Sequence, residues 1–251
     1  MEILSTFKKY NIRPSKKLAQ NFLTDKNILE KIVEAADLNI NDIVLEIGPG
    51  LGVLTNELSK RCKKIIAVEK DEKMLEVLKD RNYPNIELIN KDILKTTIQL
   101  PEKYKLIANL PYYITSPIIR MFLEKDQPEL MVLMIQKEVA QRICAKEKLS
   151  VLSVSVQFYA DAKIIRYVSK NCFYPVPKVD SAIIKIIPKQ IPNIDTEKFF
   201  KLVKMGFSSK RKKLKNNLKP IIKKEIDFDL NLRAEDLSVN DWIKLFNILD
   251  F

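Results

Sequence analysis

Short apolar runs separated by amphipathic stretches dominate the first half of the chain. Ile43-Val44-Leu45-Glu46-Ile47 reads as a buried strand, and Val53 to Leu58 as the opening of a helix. Lys64 to Val68 predicts a second strand ending at Glu69, followed by a helical stretch with Met74, Leu75 and Leu78 on one face. Ile86 to Ile89 predicts a third strand ending near Asp92, and Tyr104 to Ala108 a fourth ending at Asn109. Leu130 to Ile135 gives a fifth, with a helix predicted from Lys137 to Ala145. Continuous apolar strands alternating with helices are the pattern of a parallel α/β sheet covered on both faces. Ala162 to Val168 and Ser181 to Ile187, joined by a loop carrying Pro175 and Pro177, predict an antiparallel edge addition. Pro188 and Pro192 mark a linker, which divides the chain into a sheet domain over 1–190 and a small all-α domain over 191–251. From Asp195 onward the pattern is helical and basic, and it ends in an amphipathic segment around Trp242, Leu245, Phe246 and Leu249.

Composition narrows the chemistry. A chain of 251 residues, 46% hydrophobic and 30% charged, can bury a substantial core. No apolar run approaches the ~20 residues that cross a bilayer. Lys8, Lys9, Arg13, Lys16 and Lys17 interrupt the segment where a signal peptide would be continuously apolar. A cytoplasmic monomer without a membrane partner is the expectation. Cys62, Cys144 and Cys172 are far apart and form no Cys-x-x-Cys pair, so reduced thiols are expected rather than a disulfide framework or a zinc site. The chain has no histidine, which excludes imidazole bases, His-based triads and His metal sites. A formal charge of +12 points to a polyanionic partner.

Candidate ligand groups fall at the carboxyl ends of the predicted strands, where open α/β sheets bind their ligands. Glu46-Ile47-Gly48-Pro49-Gly50-Leu51-Gly52 is a glycine-rich turn between strand and helix. Its spacing is not the dinucleotide fingerprint, and no Lys-Ser/Thr follows as in a P-loop. A tight turn with no diphosphate to cradle fits a nucleoside cofactor such as S-adenosylmethionine. Glu69 is placed to accept hydrogen bonds from both hydroxyls of a ribose, and Asp92 from an adenine amino group. Asn109-Leu110-Pro111-Tyr112 joins a neutral amide acceptor, a turn-forcing proline and an aromatic ring, a set suited to a planar exocyclic amine. Hydrogen bonds from the amine to the Asn109 side-chain oxygen and a nearby carbonyl would aim its lone pair outward, with Tyr112 stacked on the ring.

Together with Gln20-Asn21-Phe22-Leu23 and the continuation Tyr113-Ile114, these motifs resemble the ribosomal RNA adenine N6,N6-dimethyltransferase family. The likeness is greatest to its bacterial small-subunit (16S) members, the KsgA group. Phe173-x-Pro175-x-Pro177-Lys178-Val179-x-Ser181-Ala182 and Arg233-Ala234-Glu235-x-Leu237-Ser238 extend it over nearly the whole chain. The resemblance implies a Rossmann-like methyltransferase sheet that uses S-adenosylmethionine to dimethylate adenosine N6. Its implied substrate is small-subunit ribosomal RNA or the immature small subunit, at two adjacent adenosines of the 3′-terminal hairpin loop, with a part in subunit biogenesis. It places Asn21 and Leu23 over the methionine end of the cofactor, and Gly48 beneath it in the turn that also holds Gly50. It puts Glu69 on the ribose, Asp92 on the adenine, Asn109 between cofactor and target base, and Phe173 on the face of that base opposite Tyr112. Ala19 stands where the family usually has glycine, and Leu149-Ser150 where it commonly has Tyr-Gly.

Lys210-Arg211-Lys212-Lys213-x-Lys215 is the densest basic cluster and is predicted to contact phosphates. Arg120, Lys137, Arg142, Lys16 and Lys17 are candidates to extend that surface. Other readings stay open: a large-subunit (23S) adenine dimethylase of the antibiotic-resistance type, a methyltransferase acting on glutamine amides or DNA adenine, or a non-catalytic ribosome-assembly factor that binds RNA.

Overall fold

The computed structural model describes residues 3–15 and 20–249, so Lys16, Lys17 and Ala19 lie outside the described residues. The strands are β1 (Phe22–Leu23), β2 (Ile43–Ile47), β3 (Lys64–Glu69), β4 (Ile86–Asn90), β5 (Lys105–Asn109), β6 (Leu130–Gln136), β7 (Ala160–Val168), β8 (Phe173–Tyr174) and β9 (Ser181–Pro188). The main sheet has the order β4-β3-β2-β5-β6-β9-β7, and β1 pairs with β8 in a separate ladder. From β4 across to β6 the strands run parallel, and β9 lies antiparallel against β6. The chain steps outward from β2 to β4 and then returns to lay β5 on the other side of β2. That reversal opens a crevice at the carboxyl ends of β2 and β5, where a doubly wound sheet binds ligands.

The apolar runs form strands because burial on both faces leaves no position for water. Met131, Val132, Leu133, Met134 and Ile135 of β6 are completely buried. The helices follow from period and capping. In Lys26–Ala36, Ile28, Leu29, Ile32, Val33 and Ala36 turn one face inward, and the Asp25 carboxylate accepts from the Asn27 and Ile28 amides at the N-terminus. Asp71 caps Glu72–Asp80 in the same way through the Lys73 amide. The helix predicted from Lys137 to Ala145 spans Lys137–Ile143.

Two compact units emerge: Met1–Ala140 with Lys163–Pro188, and Gln141–Ala162 with Lys189–Phe251. A single break after residue 190 therefore misassigns residues 141–162. The helix Val151–Tyr159 belongs with the C-terminal segment, where Phe158 stacks on Phe199 at 4.7 Å and meets Phe200 edge-on at 5.4 Å. Leu149-Ser150, the family departure, closes the front of that helix. Ser150 and Ser153 form a reciprocal capping box, and the Leu149 amide donates to the Glu235 carbonyl.

The helical character expected from Asp195 onward is present as three α-helices, Thr196–Gly206, Leu214–Asn217 and Val239–Leu249, and turns and irregular backbone occupy most of the chain between the last two. Pro220, Asp227, Asp229 and clustered like charges offer no apolar period there for a helix to bury.

Gly206 ends Thr196–Gly206 against the fully buried Trp242, and a Cβ on Gly206 would lie 2.2 Å from the indole Cη2. Gly206→Ala should destabilise this unit by about 1–3 kcal/mol through overpacking. Trp242 is the sole tryptophan, so urea unfolding followed by its emission reads this directly. The midpoint should fall, and an unchanged midpoint would contradict the close contact.

Candidate active site

Asn21, Leu23, Gly48, Gly50, Glu69, Asp92, Asn109, Leu110, Pro111, Tyr112 and Phe173 all line one cavity, at the crevice where the strand order reverses. Gly48, Gly50 and Gly52 all have positive φ, at 67°, 55° and 74°. Gly52 is the strictest, since its Cβ would sit 2.8 Å from Leu78 Cδ2. The turn folds back sharply enough for the Gly50 amide to reach Glu69 Oε2 at 3.1 Å.

Glu69 is the hub of the cofactor side. Its Oε1 accepts from the Lys70 and Asp71 amides, both at 2.8 Å, so with the Gly50 bond it takes three backbone N–H groups. A carboxylate has about four lone-pair positions. Three of them are taken up by backbone N–H groups, so a ribose would share this carboxylate with the turn that surrounds it. Burial raises the Glu69 pKa above the usual carboxylate value, and the three N–H donors oppose that rise. Asp92 stays charged for the opposite reason: it is exposed to Lys70, whose ammonium lies 2.9 Å from Oδ2 and lowers its pKa. Its Oδ1 accepts from the Leu94 amide at 3.2 Å. The sequence offered no sign that Lys70 would compete for the carboxylate assigned to an adenine amine.

On the substrate side, β5 delivers Asn109-Leu110-Pro111-Tyr112 to the cavity. The Leu110 amide donates to the Met134 carbonyl of β6 at 3.2 Å, which locks the turn to the sheet. The carbonyls of Pro111 and Tyr112 accept from the amides of Ile114 and Thr115. Asn109 Nδ2 donates to the Asn21 carbonyl at 3.4 Å, and its Oδ1 is a group able to accept from an amine. The Tyr112 hydroxyl lies 2.8 Å from Ser181 Oγ. Burial raises its pKa and the nearby Asp180 charge adds to this, so the ring stays a neutral phenol.

Two further arrangements were not visible in the sequence. Phe22 pairs with Tyr174 and Leu23 with Phe173, so the Asn21–Leu23 segment and the Phe173 wall form one ladder. Gln20 is held by its side chain: Oε1 accepts from the Ser15 amide at 2.9 Å, and Nε2 donates to Asp71 at 2.8 Å. The motif pattern marks Gln20 and Ser181 but says nothing of their partners.

Glu46 is buried at the floor of the same cavity. Burial lifts its pKa to about 8, and the Glu69 charge contributes to the rise. The Thr55 hydroxyl offsets part of it through its dipole, although the pair misses hydrogen-bond geometry and Glu46 Oε2 has no partner among the described residues. An unpartnered buried oxygen, a glycine cradle and two carboxylates beyond it fit a nucleoside bearing an amino acid.

In the other unit, Lys210, Arg211, Lys212, Lys213 and Lys215 are all exposed. Lys210, Arg211 and Lys212 sit on a turn, Lys213 caps the short helix Leu214–Asn217, and Lys215 lies within that helix. Asn217 Nδ2 ties that turn to the Gly206 and Ser209 carbonyls, while Leu214 and Leu218 are buried beside it. None of the five makes an ion pair among the described residues. Arg120 is paired with Glu124 at 2.7 Å, and Lys137 lies over the Tyr167 ring at 5.2 Å.

A Rossmann-like sheet carrying an Asn-Leu-Pro-Tyr turn and a glycine-lined cavity at its switch point is the arrangement of an S-adenosylmethionine-dependent methyltransferase. The ribosomal RNA adenine dimethylase family matches residues 11–250, and the chain belongs to that family. It is 45% identical over 260 residues to ribosomal RNA small subunit methyltransferase A of Dehalococcoides mccartyi, covering 94% of this chain and 88% of that protein. The crystal structure of a dimethyladenosine transferase from Plasmodium falciparum superposes with a TM-score of 0.78 at 30% identity, over 92% of this chain and 98% of that one. The 23S ribosomal RNA methyltransferase ErmE gives a TM-score of 0.75 at 28% identity, over 92% of this chain and all of that one. The Rossmann-like sheet and the adenine dimethyltransferase class expected from the motifs are thus established.

Glu46 also makes stability depend on pH. A carboxyl raised in the folded state contributes fully below its unfolded value near 4.5, and that contribution is lost as pH climbs through about 8. Glu46→Gln should therefore flatten the fall in urea midpoint between pH 5 and pH 8 relative to the parent protein. Parallel pH profiles for the two would refute a neutral buried carboxyl.

Proposed function

We propose that the enzyme dimethylates N6 of two adjacent adenosines in the 3′-terminal hairpin loop of small-subunit 16S ribosomal RNA, within the immature small subunit, and so takes part in its biogenesis. The observation that carries this reading is the Asn109-Leu110-Pro111-Tyr112 turn, which opens into the same cavity as Gly48, Glu69 and Asp92. S-adenosylmethionine supplies an electrophilic sulfonium methyl group when bound. Asn21, Leu23, Gly48, Gly50, Glu69 and Asp92 hold it, with Asn109 at the boundary between cofactor and base.

The target amine is a poor nucleophile because its lone pair is conjugated into the purine. Asn109 Oδ1 and the Leu110 carbonyl accept its two N–H bonds, turn the lone pair outward and stabilise the positive charge that develops on nitrogen. Tyr112 and Phe173 grip the ring from opposite faces. A loop adenosine suits this site, since extracting a paired base costs roughly a few kcal/mol more. No histidine is needed, because the proton leaves after the nitrogen has become cationic.

The small-subunit substrate is favoured over the large-subunit one by the Leu110 and Tyr113-Ile114 context, by the Arg233-Ala234-Glu235-x-Leu237 ending and by the 45% identity to a small-subunit enzyme against 28% to ErmE. Lys210, Arg211, Lys212, Lys213 and Lys215 contact phosphates. No helix of the described residues is long and apolar enough to cross a membrane, and we take the protein to act as a cytoplasmic monomer.

Asn109→Ala should lower kcat by roughly 10²-fold or more while RNA affinity changes little. Mass analysis of nucleosides from stripped small-subunit particles, large-subunit RNA and DNA checks both turnover and substrate, and full turnover by the variant would reject the site. Replacing Lys210 to Lys213 with neutral residues should weaken RNA binding and flatten its salt dependence, by about 0.7–0.9 log units per log salt for each lost phosphate contact. Cofactor affinity measured by calorimetry should not change.

A further inference from the structure

We infer that Ser181 is a positioning residue for the target adenine, and that it matters most for the second methyl transfer. The inference rests on the adenine N6 reading above. Ser181 is completely buried and opens β9, paired with Gln136 at the end of β6. The neighbouring Asp180 carbonyl accepts from the Lys137 amide at 3.0 Å and Ala182 pairs with Ile135, so the backbone on both sides of Ser181 is held, to β6 and to the residue that follows it. From this fixed point Ser181 Oγ meets the Tyr112 hydroxyl at 2.8 Å. The Tyr112 ring is thereby tethered at both ends, by the sheet-locked turn at its Cα and by Ser181 at its hydroxyl.

The other wall of the clamp has a related anchor. Phe173 is buried and fixed by its pairing with Leu23, and one short loop carries the chain from Phe173 to Ser181. A single segment therefore begins at one ring and ends at the tether of the other. Its two ends set the position of both stacking surfaces.

Hydrogen-bond arithmetic distinguishes the two transfers. Unmodified adenine has two N–H bonds at N6, one each for Asn109 Oδ1 and the Leu110 carbonyl. After the first transfer a single N–H remains, so one acceptor loses its donor. Stacking against Tyr112 and Phe173 must then carry more of the alignment. A ring freed at its hydroxyl end should impair the second step more than the first.

The test compares the parent enzyme, Ser181→Ala, Tyr112→Phe and the double variant in single turnovers on the RNA of stripped small-subunit particles. The target adenosine is either unmodified or already carries one methyl group. Loss of alignment on this scale reduces rates by roughly 10- to 100-fold. Ser181→Ala should show such a loss on monomethylated RNA, a smaller one on unmodified RNA, and accumulation of the monomethyl product. Tyr112→Phe should behave alike, and the double variant should be no worse than either single one. Cofactor Kd and thermal midpoint, read separately, should stay near the parent values in the double variant, where neither hydroxyl is left unpaired. A double variant with the parent's product ratio would overturn the inference, because it would show that only an orphaned hydroxyl had done harm. Equal slowing of both steps would also overturn it. If the parent enzyme itself transferred no methyl group to either substrate, the adenine N6 reading would fail instead.

Discussion

A buried carboxylate receiving backbone N–H groups from two directions is the interaction on which the cofactor side depends. Glu69 ends β3, and through its bonds to Gly50, Lys70 and Asp71 it ties the glycine turn after β2 to the start of the next helix. Burial raises the Glu69 pKa, and those donors oppose the rise. The turn can make its contribution only because its glycines adopt positive φ. Asp71, whose amide binds Glu69, also receives the Gln20 side chain, so the same hub reaches the segment that carries Asn21 and Leu23.

The groups that the Asn109–Tyr112 turn brings to the same cavity are neutral. Asn109 offers an amide oxygen, Leu110 a carbonyl and Tyr112 a phenol kept protonated by burial. Methyl transfer to an aromatic amine asks for orientation and for stabilisation of a cationic nitrogen, and neutral dipoles supply both without a proton relay. That accounts for a chain without histidine carrying out this chemistry. The buried Glu46 belongs to the same economy of charge, since a second ionised carboxylate beside Glu69 would be opposed by both burial and repulsion.

The basic cluster obeys a different constraint. Exposed cations cannot organise a core, so the turn that displays Lys210 to Lys213 takes its order from Asn217 and from the buried Leu214 and Leu218. Charge displayed this way suits contact with a polyanion's backbone, which favours affinity over sequence readout.

How much of this was legible beforehand follows from the range of each interaction. The strand Ile43–Ile47 could be read residue by residue, because burial on both faces favours a near-continuous apolar run, which only Glu46 interrupts. The carboxylates at the strand ends and the Asn-Leu-Pro-Tyr turn were legible too, since the order of elements in an α/β sheet places strand ends at one edge. The allegiance of Val151–Tyr159 was hidden, because an apolar helix carries no mark of which core it will join. The same holds for the pairing of Leu23 with Phe173 and the bond between Tyr112 and Ser181. Local pattern determined which segments are strands, which turns carry chemistry and which partner charge attracts. Only the folded chain decided which distant side chains share hydrogen bonds and which carboxyl gives up its charge, because those outcomes depend on burial and proximity that no stretch of sequence contains.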